Sequence, residues 1–540
     1  MLKNIRNKYA IELIFNHLRN KKKLNILKYN NKMLSRLNIT KDDFKAYTYL
    51  KEFNEKYNLI IEDFDITILN LSYHNFGNEV LEYLAKINFN KLESLDLSYN
   101  KITDISLLEK LNLEKLLTLN LSFNQISDIN PLERISLKEL RILNLVNNII
   151  SDINVLQRVK FEKLEILNFG NKIKYFNSLD GTKTGNEISN INVLKSVNFK
   201  HLKVLNFSLN KIKDIKVLQN VNFKELKELN LNNNNSYSTT DLIKFEVSIL
   251  ENVQFEKLKI LNLLNNKITD ISSLAKVNFP NLQVLNLGHN EISDINILKE
   301  MNFKDLRKLY LDHNNITDIN VLNRVNFKNL ESLNISDTYI NDIKVLEKVS
   351  FKKLQELNLT GNNILNIEIL ENADFKGLRV LEIYYIEKPD ITFLEKFKFE
   401  KLEILDLGAN DIEDISILEK VNFKNLKELN LEYNHIPDLK IFENVKFENL
   451  EKLNLSYNRI SNINKLENIK FKELKELNLG DNKISDIRVL ERLKFEKLEI
   501  LKLNFNKISD IKVLEKVNLR NLKFLDLRNN LITDIDRYNR

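Results

Sequence analysis

The feature that most constrains this chain is a 24-residue period. Leu recurs at 92, 116, 140 and 164, at 202 and 226, and then every 24 residues from 258 to 522. Residues 402–425, LEILDLGANDIEDISILEKVNFKN, and residues 450–473, LEKLNLSYNRISNINKLENIKFKE, share the pattern LxxLxLxxNxIxDIxxLExVxFxx. Counted on the second Leu, from Leu69 to Leu525, there are 19 units covering about nine tenths of the chain. One unit buries about seven apolar side chains at roughly 1.5–3 kcal/mol each, while ordering its backbone costs about 1–2 kcal/mol per residue. A lone unit therefore cannot fold, and neighbours must share a core. Such an array also escapes the limit near 250–300 residues at which single globular cores stop growing.

Within LxxLxL, positions 4 and 6 are apolar and positions 3, 5 and 7 mostly polar, the alternation of a strand with one buried face. One short parallel strand per unit follows. Position 9 is nearly always Asn, as at Asn100, Asn124, Asn210, Asn290, Asn314, Asn410, Asn434, Asn458, Asn482 and Asn506. An amide can both donate to and accept from turn backbone groups that would otherwise be buried unpaired. The second half, typically SDIxxLExVxF, predicts a helix of one or two turns started by a polar residue. Pro131 suits a first helical turn. Phe199, Phe223, Phe279, Phe303, Phe327, Phe351, Phe423 and Phe471 recur before the next strand and read as core.

This pattern resembles the leucine-rich-repeat family, within it the short class of internalins and the regulatory subunit of protein phosphatase 1. Repeats of that class are typically about 22 residues long, and the extra pair here falls near VxF. The resemblance implies an α/β solenoid, a horseshoe of about 19 units with one parallel strand and one short helix each. It implies an internal Asn ladder and partner binding on the concave side.

Strand positions 3, 5, 7 and 8 are expected on that side. Position 5 is mostly Asn, which says little about a partner. The pattern breaks at Tyr310, Asp312 and His313, at Asp337 and Thr338, and at Glu382, Tyr384 and Tyr385. Tyr310, Asp312, His313, Asp337, Tyr384 and Tyr385 are the candidate partner-binding residues, Tyr and charged groups being typical anchors; drift along an array produces the same break. His289 and His313 share a position in consecutive units near Asp312 and Asp337. A divalent metal accepts such ligands, but paired imidazoles on an open face are ordinarily only that, and no metal or cofactor is expected. His17, His74, His201 and His435 show no partner in the sequence. No nucleophile and base pair stands out, so the chain reads as non-catalytic.

Two insertions break the register, 14 residues around 174–187 and eight around 235–242. Both read as loops at one edge, and the first should be removable at little cost in stability. Gly181 and Gly185 do not form a phosphate-binding loop. Residues 1–58 lie outside the period and carry 14 Lys and Arg against 5 Asp and Glu. KYAIELIFNHL, KKLNILKYNNKMLSRL and DDFKAYTYLKEFNEKY have helical spacing. This segment reads as a cap on the array at residues 59–540. Alternatively, the run Ile11–Leu18 with the basic helix after it resembles an F-box, although the Leu-Pro start and the Trp of that motif are absent; an F-box implies docking of residues 1–40 on a ubiquitin-ligase adaptor.

With no Cys, disulfide frameworks and thiol chemistry are excluded. No secretion signal or membrane-spanning run is seen, so a cytoplasmic protein is expected. The leading expectation is a scaffold binding a protein rather than nucleic acid. The alternatives are a ubiquitin-ligase substrate adaptor and an internalin-like adhesion protein.

Overall fold

The computed structural model describes residues 41–62, 65–87, 89–172, 185–234, 245–386, 389–396, 399–517 and 519–533. The chain divides into two compact units, Met1–Leu258 and Lys259–Arg540. Among the described residues the first holds seven strands, from β1 (Ile68–Asn70) and β2 (Ser94–Asp96) to β7 (Glu228–Asn230), paired parallel in chain order. The second holds twelve, from β8 (Ile260–Asn262) to β19 (Phe524–Asp526), paired the same way. Every strand covers positions 3–5 of its repeat, and neighbours pair in strict register, Leu309 opposite Leu333 and Leu405 opposite Leu429. Leu at positions 1, 4 and 6, Ile at 11 and 14, and Phe at 22 are buried in repeat after repeat. The Phe rings run along the core in near-parallel pairs, Phe161 with Phe199 at 6.4 Å and Phe423 with Phe447 at 6.5 Å.

The predicted helix of each repeat is a single 3₁₀ turn, such as Asn130–Glu133 or Lys344–Glu347. Segments of four to six residues are too short for a run of i→i+4 bonds, and 3₁₀ geometry closes in fewer residues. The starting polar residue sits one place further out than an N-cap. Asp104 Oδ1 accepts from the Ser106 N–H at 2.7 Å, while the capping position itself is Ile105. Among the described residues, two true α-helices stand at the N-terminal end. Helix α1 (Lys41–Tyr57) coincides with the third predicted helical segment, and α2 (Glu79–Ile87) replaces the 3₁₀ turn of the first repeat. Phe53 of α1 is fully buried against Tyr57, Phe76 and Tyr83. The two preceding segments and the F-box-like run lie outside the described residues.

The position-9 amides tie each repeat to the one before it. Asn124 Nδ2 donates to the Leu121 carbonyl of its own repeat at 3.0 Å and to the Leu97 carbonyl of the preceding repeat at 2.9 Å, while Oδ1 accepts from the Ile102 N–H at 3.0 Å. The same set recurs at Asn314 and Asn458. The ten Asn named above are each 8% exposed or less, and Asn148, Asn186, Asn234, Asn266 and Asn362 are buried in equivalent places. Three repeats depart from this, the first of them with His74 in the position. Thr338 puts a hydroxyl 3.0 Å from the Ile335 carbonyl, and Ile386 brings no polar side chain at all.

Asn186 locates the first insertion. It is the ladder amide of its repeat, donating to the Leu145 and Phe169 carbonyls at 2.9 and 3.0 Å and accepting from the Ile150 N–H. The 14 extra residues are therefore 172–185, and the 174–187 boundary of the sequence reading is two residues too far along. Asn171 closes the neck, its Oδ1 accepting from the Asn186 N–H at 2.7 Å and its Nδ2 donating to the Asn186 carbonyl at 3.0 Å. Residues 173–184 of this insertion and all of 235–242 lie outside the described residues.

A second row of contacts runs along position 2 in the C-terminal unit, where charge alternates as Arg379, Glu403, Lys427, Glu451, Lys475, Glu499 and Lys523. Arg379 and Lys427 reach Glu403 at 2.6 and 2.9 Å, Lys475 reaches Glu451 at 2.6 Å, and Lys523 reaches Glu499 at 2.8 Å. Hydrogen bonds from its two cationic neighbours hold the Glu403 carboxyl down at about 2.

Replacing Asn434 or Asn458 by Ala should cost about 1–3 kcal/mol each, because buried turn groups lose their partners. Melting followed by circular dichroism checks the loss, and amide exchange should localise it to Ile412 and Ile436, whose N–H groups these oxygens accept. Deleting residues 172–185 joins Asn171 to Asn186, restores the 24-residue register and should leave the melting temperature nearly unchanged. Deleting 174–187 instead puts Lys172 in the ladder position, and should cost several degrees in the same scan.

Candidate functional site

The face of the strands turned away from the core presents positions 3, 5 and 7. The repeated Asn at position 5 serves the backbone. Asn206 Oδ1 accepts from the Ser208 N–H at 2.8 Å, and Asn334 and Asn430 accept from Ser336 and Glu432 at 3.0 and 3.1 Å. Such local bonds fix the chain as it leaves the strand, which accounts for the uniformity. Asp406 keeps the bond, to the Gly408 N–H at 2.9 Å. Tyr310 has no acceptor to offer in that place.

Positions 7 and 8 lie beyond the three-residue strands rather than on them. Position 8 adopts left-handed backbone, with φ of +51° at His289 and His313, +48° at Asp337 and +55° at Tyr385. That conformation is uncommon for residues other than Gly, yet here it carries Tyr, Phe and His. Equivalent side chains stack from repeat to repeat: Tyr73 on Tyr99 and Tyr99 on Phe123 at 4.0 Å, His289 on His313 and Tyr433 on Tyr457 at 3.9 Å between ring centres. Sequence reasoning missed this edge ribbon, although the 24-residue spacing of Tyr99 and Phe123, and of Tyr433 and Tyr457, was there to find.

The candidate residues fall into two groups. In the first, Asp312 reaches one nitrogen of each stacked imidazole, its Oδ2 3.7 Å from His289 Nε2 and 3.6 Å from His313 Nδ1, while His313 Nε2 is 3.6 Å from Asp337 Oδ2. Partial burial, and then the neighbouring His313, lower the His289 pKa below the usual imidazole range. Tyr310, half-buried on β10 (Lys308–Tyr310), stands in the same repeat as Asp312. Thr338 does not join the face, being buried in the ladder.

In the second group, Tyr384 lies along the surface over Gly408, where a Cβ would come 2.5 Å from its ring. Tyr385 points out, 61% exposed. Beside them Glu382 of β13 (Val380–Glu382) is in register with Asp406 of β14 (Ile404–Asp406). Burial raises both carboxyls above the usual range, and the Asp406 charge adds to the effect on Glu382. An open groove of about 370 Å³ runs on from this pair past Glu428, Lys452 and Glu476. Burial also raises the Tyr384 hydroxyl. Of the remaining histidines, His435 has a carboxylate neighbour, Asp411 at 3.4 Å, and His74 stacks on Phe76 at 5.0 Å. Among the described residues no helix is long and apolar enough to cross a membrane.

Models of leucine-rich repeats match residues 90–134, 256–300, 448–492 and 496–539, residues 304–364, and residues 200–215. No curated protein matches significantly in sequence. Among solved structures, an internalin from Listeria monocytogenes is similar over 86% of this chain and 87% of its own, at 21% identity and a TM-score of 0.28. A leucine-rich-repeat protein of Leptospira interrogans covers 88% and 93% at 19% identity and 0.38. The TLR13–ssRNA13 complex covers 86% and 69% at 21% identity and 0.49. The 24-residue pattern, the one parallel strand and one 3₁₀ turn of the typical repeat, and these family matches agree that the chain is built of leucine-rich repeats.

Proposed function

We propose that this chain is a non-catalytic protein-binding scaffold whose partner docks on the C-terminal unit, on the open face and adjoining edge around Tyr310, Asp312, His313, Asp337, Tyr384 and Tyr385. One observation carries the reading. In three successive repeats, large apolar side chains stand out in solvent, Tyr339 at 61%, Leu365 at 83% and Tyr385 at 61% exposed, and the same stretch contains the two interior departures from the Asn ladder, Thr338 and Ile386. Exposed aromatics rimmed by charge are what interfaces use as anchors. The raised carboxyls of Glu382 and Asp406 favour a partner that brings a cationic side chain, since a positive charge there relieves a cost the free protein carries.

Changing Tyr384 and Tyr385 together to Ala should weaken partner capture, each true anchor costing about 2 kcal/mol. The matched control is Tyr73→Ala with Tyr99→Ala, which removes aromatics at position 8 in the N-terminal unit. Equal capture by both variants, quantified by mass spectrometry of the bound proteins, would place the partner elsewhere. Asp406→Asn should separate binding from stability. A carboxyl raised by folding costs stability at pH values above its folded pKa and none once both states are protonated. The Asn variant should therefore melt about a degree or two higher at neutral pH, converge with the parent in acid, and capture less partner.

A further inference from the structure

The structure assigns a second capacity to the His289–Asp312–His313 cluster: we propose that it binds one divalent transition-metal ion, Zn²⁺ or an ion of similar ligand preference, independently of any protein partner. The three side chains offer donor atoms that all lie within 4.8 Å of one another. Donors bound tetrahedrally at about 2.0–2.1 Å from zinc are about 3.4 Å apart, and the two His–Asp separations, 3.7 and 3.6 Å, already lie close to that. Both imidazoles are about half exposed, His289 at 45% and His313 at 47% of the side chain, so small ring rotations complete the convergence. Two imidazoles with one carboxylate select Zn²⁺, Cu²⁺, Ni²⁺ or Co²⁺ over Ca²⁺ or Mg²⁺, which want oxygen.

Stacking alone does not make the site, because Tyr433 and Tyr457 stack as closely. Three further features set the His pair apart. Among the 19 position-7 residues Asp312 is the one Asp, and its carboxylate is held beside both rings, near one nitrogen of each, with only 13% of the side chain exposed. Room for it is made by Gly288 in the neighbouring repeat, where a Cβ would lie 2.7 and 2.9 Å from the two carboxylate oxygens. Finally, with His313 Nδ1 turned to the Asp312 side, its other nitrogen faces Asp337 Oδ2 at 3.6 Å. A carboxylate behind a ligating imidazole fixes its tautomer and strengthens it as a donor. Gly361 makes the corresponding room for Asp337, since a Cβ there would meet Asp337 Oδ1.

The test is calorimetric titration of the full chain with ZnCl₂, after chelator treatment and dialysis. The expected result is one saturating event per chain that is abolished by His289→Ala with His313→Ala. Gly288→Ala, which removes no donor and whose backbone is compatible with a side chain, should weaken binding about tenfold by displacing Asp312. Asp337→Asn should weaken it by a similar factor. His435→Ala, which disrupts an isolated His–Asp pair, should leave the event intact, and the Co²⁺ form of the parent should give visible d–d bands that the double His variant lacks. Zinc binding that persists unchanged in the double His variant, or Ca²⁺ binding as tight as Zn²⁺, would overturn the assignment. Far-ultraviolet circular dichroism of every variant separates loss of the site from loss of the fold.

Discussion

A side-chain amide buried at one point of nearly every repeat is the contact on which the array depends. At Asn124, Asn314 or Asn458 a single carboxamide serves four backbone groups, and two of the four belong to the repeat before it. The leucines bury most of the apolar area, but apolar contact is non-directional and tolerates sliding. The amide does not: with its carbonyl and N–H partners buried, a shift of one residue leaves all of them unpaired. Stability in such an array is close to a sum of repeat and nearest-neighbour contributions, and the ladder is the directional part of the neighbour contribution. Where it lapses, at Thr338 and Ile386, the intervening repeat changes shape. Its 3₁₀ turn starts from Asn366 with φ −139° and ψ 54°, away from the values near −110° and 12° found beside Ile295 or Ile319.

Most of the fold was legible because the period reports it directly. Leu and Ile at fixed offsets gave the strands, and Pro131 and the SDI segments gave the turns that follow. What the period could not give was the kind of helix, since apolar residues three apart, as at Ile415, Leu418 and Val421, suit α and 3₁₀ geometry alike. Nor could spacing tell on which side of the ladder amide an insertion falls: 14 extra residues are the same number whether Asn186 is inside them or after them, and only its hydrogen bonds decide.

The face was less legible, for a reason that lies in the third dimension. Position 8 looks like one more strand residue when letters alone are read, and left-handed backbone has no unambiguous signature when Tyr, His and Phe fill it. Space across the face is likewise set by pairs one repeat apart. Gly408 matters because Tyr384 lies over it, and Gly288 because Asp312 leans into the gap it leaves. Each of these glycines sits beside a bulkier position-7 residue 24 positions away, an alternation of small and large that is visible in the sequence once the neighbour is known.

The alternating charges of Arg379, Glu403, Lys427, Glu451, Lys475, Glu499 and Lys523 have a consequence for assembly. Nearly identical modules can pair with the wrong neighbour, within one chain during folding or between two chains by exchange. A mispairing that skips one repeat would bring Arg379 against Lys427, or Glu403 against Glu451, at the distance where opposite charges now meet. One that skips two would restore opposite signs, but would have to loop out 48 residues. The row thus acts as a parity check, in which every second copy of the module is marked as different from its neighbours although the core makes them alike.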